Sequence, residues 1–130
     1  MADKGGDRIM ELKNRSQYLD KLISVQDMEV IKVVTGIRRC GKSSLLKLMM
    51  AHLREQGVME EQILSMNFES MKFADMDSKS LYQYVTERES KGKRLYLFLD
   101  EVQKVRDWQD AVNSFRVDLD CDIYVTGSNS

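Results

Sequence analysis

With 130 residues, 42% of them hydrophobic and 32% charged, the chain suits one soluble domain with its own core rather than a disordered segment. Lys and Arg total 20 against 21 Asp and Glu, and the net charge of -1 gives no overall field directed at nucleic acid or an anionic membrane. No apolar run nears a membrane span, no secretory h-region opens the chain, and Cys40 and Cys121 make no disulfide framework, so reduced thiols and a cytoplasmic setting are expected.

Residues 1–7, with Gly5-Gly6, read as a flexible lead. From Arg8 to about Val25, Ile9, Leu12, Leu19, Leu22 and Ile23 recur at roughly helical spacing. They predict one or two short amphipathic helices in a segment spanning 8–28. An α/β domain is expected over 29–130. Its first strand is Val30 to Thr35, with Lys32 as the single charge. A mostly apolar strand suits a sheet covered on both faces.

Gly36, Ile37, Arg38, Arg39, Cys40, Gly41, Lys42 and Ser43 follow, in the pattern G-x-x-x-x-G-K-[ST]. A strand before and a helix after are the context this phosphate-cradling loop requires. Its glycines let successive N–H groups turn inward, and the helix N-terminus adds partial positive charge at the same point. Lys42 is expected to reach the β- and γ-phosphates and Ser43 to ligate Mg²⁺, with Ser44 beside them. Arg38 and Arg39 are equally readable as phosphate contacts, partner contacts or solvated loop residues. Cys40 reads as a small residue in a tight loop. The helix should run from Lys42 to Gln56 and stop at Gly57. His52, the single histidine, sits mid-helix, builds no metal cluster and reads as a surface group.

A second strand is expected over Ile63 to Phe68, then a helix from Lys79 to Lys91, capped by Asp77 or Ser78 and ended by Gly92. The third strand, Leu95 to Leu99, is almost wholly apolar and leads into Asp100 and Glu101, the Walker B pattern. Such a strand delivers Asp100 beside the P-loop, where it can hold Mg²⁺ through its water shell. Glu101 is placed to polarise an attacking water. Gln103 either faces the site or solvates a loop. A helix from Trp108 to Val117, capped by Asp107, should bury Trp108 and Phe115 as core. The fourth strand is Asp122 to Thr126, ending in Gly127-Ser128-Asn129-Ser130. Strands alternating with helices indicate α/β architecture with a parallel sheet.

Thr35 to Ser43, Leu99-Asp100-Glu101-Val102-Gln103 and Tyr124 to Asn129 together resemble the bacterial and archaeal AAA-type ATPases of the archaeal-ATPase-like branch. The resemblance implies a sheet order 5-1-4-3-2, helices on both faces, and ATP with Mg²⁺. It implies Lys42 and Ser43 on phosphate and metal, Asp100 on the metal and Glu101 as the base. It also places a γ-phosphate sensor among Thr126, Ser128 and Asn129. Members usually continue with a fifth strand, an arginine, a lid and a C-terminal domain, whereas this sequence stops at Ser130. Slow or absent hydrolysis is therefore expected unless another segment or subunit completes the site. The first strand should present an open edge, which self-association or the N-terminal segment would cover. A nucleotide-binding switch with little turnover is the competing reading. A GTPase would need an N-K-x-D motif and a D-x-x-G motif after the strand, and the sequence has neither. No acceptor or lid segment marks a small-molecule kinase, and the balanced charge gives no support to a DNA-associated ATPase.

Overall fold

The structure, a computed structural model, describes residues 17–28, 31–35, 39–90 and 92–127, less the side chains of residues 39 and 40. The expected lead over 1–7, the first half of the 8–28 segment, Gly36 to Arg38 and Ser128 to Ser130 lie outside the described residues.

Among the described residues, four strands form one sheet: β1 (Lys32–Val34), β2 (Ile63–Asn67), β3 (Leu95–Asp100) and β4 (Cys121–Thr126). Their order is β1-β4-β3-β2, with every pairing parallel. This is the expected 1-4-3-2 arrangement. Among the described residues, four helices flank the sheet: α1 (residues 17–24), α2 (Arg39–Glu55), α3 (Ser78–Glu87) and α4 (Trp108–Asp118).

Alternation along the central strands divides the core. Leu95, Leu97 and Leu99 of β3, with Ile123 and Val125 of β4, pack against Leu81 and Val85 of α3 and Ala111, Val112 and Phe115 of α4. Tyr96, Phe98 and Tyr124 point the other way, onto Leu45, Leu46, Met49 and Leu53 of α2 and Leu22 of α1. The Phe98 and Tyr124 rings stack with centroids 4.8 Å apart. All six residues of β3 are buried, as expected for a central strand covered on both faces.

Strand β1 departs from that expectation. Lys32 and Val34 are buried, but Val33 is 57% exposed. Only the α1/α2 face of this strand is covered, and β1 pairs with β4 alone among the described residues. Lys32 is buried because it meets Asp122 at the start of β4 and donates to the Met28 carbonyl at 2.8 Å. Asp122 also accepts from the Tyr124 hydroxyl at 2.6 Å and the Asp27 N–H at 2.9 Å. Asp27 in turn accepts from the Tyr96 hydroxyl at 2.8 Å. Burial, then this bond to Asp27, pushes the Tyr96 hydroxyl up to about 12. The network fastens the segment before β1 to the N-terminal ends of the sheet.

Helix ends correct several expectations. Helix α2 begins at Arg39, three residues early, so Arg39, Cys40 and Gly41 belong to its first turn. It closes in a Schellman motif: Gly57 N–H bonds Arg54 O at 3.0 Å and Val58 N–H bonds Leu53 O at 3.0 Å. Gly57 takes the left-handed conformation there, φ +95°. Helix α3 begins at Ser78, and Asp77 caps it by accepting from Ser80 N–H at 2.9 Å. That helix ends at Glu87, short of the expected Lys91, and Gly92 lies in a later turn. Asp107 precedes α4 but makes no side-chain cap bond. His52, read as a surface group, is half-buried, and its Nε2 is buried without a hydrogen-bond partner.

Candidate active site

Parallel strands gather their carboxyl ends at one edge of the sheet. The crevice outside those ends, where successive connections change face, is where open α/β sheets bind ligands. Here α2 covers one face and α3 and α4 the other, and the first turn of α2 meets the ends of β3 and β4.

Lys42 is 4% exposed, and its Nζ donates to the Gly127 carbonyl at 2.8 Å. The same ammonium stands 3.9 Å from Glu101 Oε2. Ser43 Oγ donates to Asp100 Oδ2 at 2.6 Å across 57 residues of sequence. Asp100 Oδ1 accepts from the Thr126 hydroxyl at 2.5 Å. That hydroxyl oxygen accepts the Glu101 N–H at 3.0 Å. Gln103 Nε2 donates to Glu101 Oε1 at 2.8 Å. Asp100, Glu101 and Thr126 are buried, where each bond counts for more than at a surface.

Glu101 has φ 57° and ψ 48°, a left-handed conformation for a residue with a side chain. Such backbone costs on the order of 1–3 kcal/mol and persists where the surroundings over-determine it. Here the surroundings are the Thr126 hydroxyl on its N–H and Gln103 on its carboxylate. The turn Val102–Lys104 follows directly and brings the Gln103 side chain back over the strand end.

The structure thus brings together Lys42, Ser43, Asp100 and Glu101 as the two motifs predict. Gly41 is buried and Ser44 half-buried in the same helical turn. Gly36, Ile37, Arg38, Ser128 and Asn129 lie outside the described residues, as do the side chains of Arg39 and Cys40. Thr126 is a different matter. Its hydroxyl is spent on Asp100 and Glu101, so it braces the acids from behind. Two participants escape sequence reasoning: the Gly127 carbonyl, a main-chain group with no residue-type signature, and Gln103, left undecided between site and solvent.

The donors fit a small hard cation. A hydroxyl oxygen and a carboxylate oxygen converge between α2 and β3, and Mg²⁺ takes one or two such protein oxygens, completing its shell with water and phosphate. No group of three or more His, Cys, Asp and Glu able to hold a metal occurs among the described residues, and a Mg²⁺ site of this kind needs none. No described helix is long and apolar enough to cross a membrane.

Comparison with known proteins agrees with this geometry. A family model described as AAA domain matches residues 29–130. An uncharacterized protein of Haemophilus influenzae is 40% identical over 119 residues, covering 90% of this chain. The chain spans 30% of that relative's length. No solved structure matches. With most of its length matched and the P-loop fold in place, the chain belongs to the AAA domain family, a family of nucleotide-binding ATPases.

Proposed function

We propose that the chain binds ATP with Mg²⁺ and forms the nucleotide-binding core of an ATPase. The contact that carries this reading is Ser43 Oγ to Asp100 Oδ2, with Lys42 next in the chain. It joins the loop-helix and strand-end motifs at one point. Lys42 would exchange the Gly127 carbonyl for the β- and γ-phosphates. Ser43 and Asp100 would hold Mg²⁺, which when bound neutralises phosphate charge. Glu101 would orient the attacking water as general base, with the loop Gly36–Gly41, Ser44, Ser128 and Asn129 around the nucleotide.

A second reading, a nucleotide-binding switch with little turnover, draws on Glu101. Both of its carboxylate oxygens face protein groups, Gln103 and Lys42, rather than an open site. The domain division follows the same reading: a lead over 1–7, a helical segment over 8–28 and the nucleotide-binding domain over 29–130, in a cytoplasmic protein. A further domain or protein partner would supply what the ATP drives. Neither nucleic acid nor membrane is part of this proposal.

Titration calorimetry with ATP and GTP, each with and without Mg²⁺, tests it beside Lys42→Ala and Glu101→Gln. Mg²⁺-dependent ATP binding that disappears in Lys42→Ala is expected. Glu101→Gln should bind ATP and lose whatever turnover the parent has. Equal affinity in Lys42→Ala would remove the P-loop assignment.

A further inference from the structure

Gln103 follows the two acids of the third strand without an assigned role, yet it closes a ring of contacts across the site. Lys42 donates to the Gly127 carbonyl. A Cβ built on Gly127 would stand 3.0 Å from Gln103 Oε1, so the amide lies close against this residue and a larger one would make it shift by a few tenths of an ångström. The other end of the same amide, Nε2, holds Glu101 Oε1, and Glu101 Oε2 faces Lys42. Four residues from α2, the end of β4, the turn after β3 and the end of β3 thereby share one arrangement. The side chain of Gln103 is exposed overall, so no core packing explains its placement.

We infer that Gln103 is a positioning residue: its amide, wedged against Gly127, holds the Glu101 carboxylate in place when Lys42 leaves that carboxylate for phosphate. This rests on the nucleotide reading above and deepens it. The chemistry requires an amide. Glutamate at 103 would set a second carboxylate against Glu101, and leucine would donate nothing. A methyl group on Gly127 would press the amide from the opposite side and shift it by a few tenths of an ångström. The left-handed backbone of Glu101 aims its side chain only approximately, because χ angles stay free, and the Gln103 bond removes that freedom.

The test uses the whole chain with ATP and Mg²⁺, and the variants Gln103→Leu, Gln103→Glu and Gly127→Ala. Gln103→Leu and Gln103→Glu should each lower kcat by about 10–100-fold, the consequence of misplacing a reacting group by about 1 Å, with KM little changed, and Gly127→Ala should lower it by less. The double variant Gln103→Leu/Gly127→Ala should be no worse than Gln103→Leu, since Gly127→Ala acts only through the amide that Gln103→Leu has removed. A readout free of turnover runs in parallel: the Gln103 side-chain amide in ¹H–¹⁵N spectra, assigned by its loss in Gln103→Leu. It should move in Glu101→Ala and move again when ATP and Mg²⁺ saturate the parent. Parent-like kcat in both Gln103 variants, a loss confined to KM, or an amide signal indifferent to Glu101→Ala would each overturn the inference. If the parent turns over too slowly for a kcat, the amide signal decides. Absence of ATP binding by the parent overturns the nucleotide reading and this one together, whereas binding with an indifferent amide overturns this one alone.

Discussion

Thr126 shows how one hydroxyl governs two acids. It donates to Asp100 Oδ1 and accepts from the Glu101 N–H, so it sets the direction of one carboxylate and the backbone turn of the next. Both bonds are buried. Thr126→Val keeps the shape and removes both, leaving a buried N–H and a carboxylate lone pair unmet. Loss of about 1–3 kcal/mol in urea unfolding is expected. The Ser43 bond should survive, so Mg²⁺-dependent ATP binding should weaken without vanishing. A variant as stable as the parent would show that water replaces the hydroxyl. At this scale residue type alone was informative for Lys42, Ser43, Asp100 and Glu101, because their chemistry is specific and their spacing stereotyped. Thr126 was legible as a polar strand end, but the groups it serves lie 25 and 26 residues back along the chain.

At the scale of elements, apolar periodicity located all four strands and helices α2, α3 and α4, with errors confined to their ends. Those ends are set by local bonds. Asp77 stops α3 from fraying by accepting from Ser80. The backbone N–H of Ser80, then its side chain, holds the Asp77 carboxyl below its ordinary value. A depressed folded value means that the stabilisation is present above the unfolded pKa of about 3.9 and fades as pH falls through the lower folded value. Asp77→Ala should therefore melt a few degrees below the parent at pH 7, and the gap should close between about pH 4 and pH 2. A gap constant over that range would mean that the cap acts without its charge. The early start of α2 has a different cause. Cys40 and Gly41 read as loop from the glycine pattern, yet the backbone is already helical at Arg39.

For the whole molecule, two features at opposite ends of the sheet matter most. At the N-terminal ends of the strands, Lys32 and Asp122 are a buried ion pair with further bonds to Met28, Asp27 and Tyr124. Removing one partner strands the other charge out of water. Lys32→Met should cost about 3–5 kcal/mol in urea unfolding, and Lys32→Met/Asp122→Leu should recover part of it. A cost below about 1 kcal/mol would mean that solvent reaches Asp122. Along its outer side, β1 has no strand partner among the described residues and leaves Val33 exposed. We expect the isolated chain to self-associate there. Light scattering should report a concentration-dependent mass that Val33→Lys returns to the monomer value. A parent chain that stays monomeric at high concentration would remove this expectation. Helix α1 does not relieve the exposure of Val33, because it packs with α2 on the opposite face.

The sequence by itself determined the α/β class, the alternation of elements and the two motifs that meet at the candidate site, because each is written in short-range patterns: period, caps and fixed spacing. It also carried the resemblance that family membership bears out. Only the tertiary structure decided which groups meet across the strands. The register of β3 against β4 brings Thr126 to Asp100, and the placement of α2 brings Lys42 to the Gly127 carbonyl. The same packing explains Lys32, a charge in an apolar strand that sequence left without a partner and that meets Asp122 90 residues on. Register and partner choice come from packing two helical layers on a twisted sheet. That packing sums many weak contacts, and no local stretch of sequence records the sum.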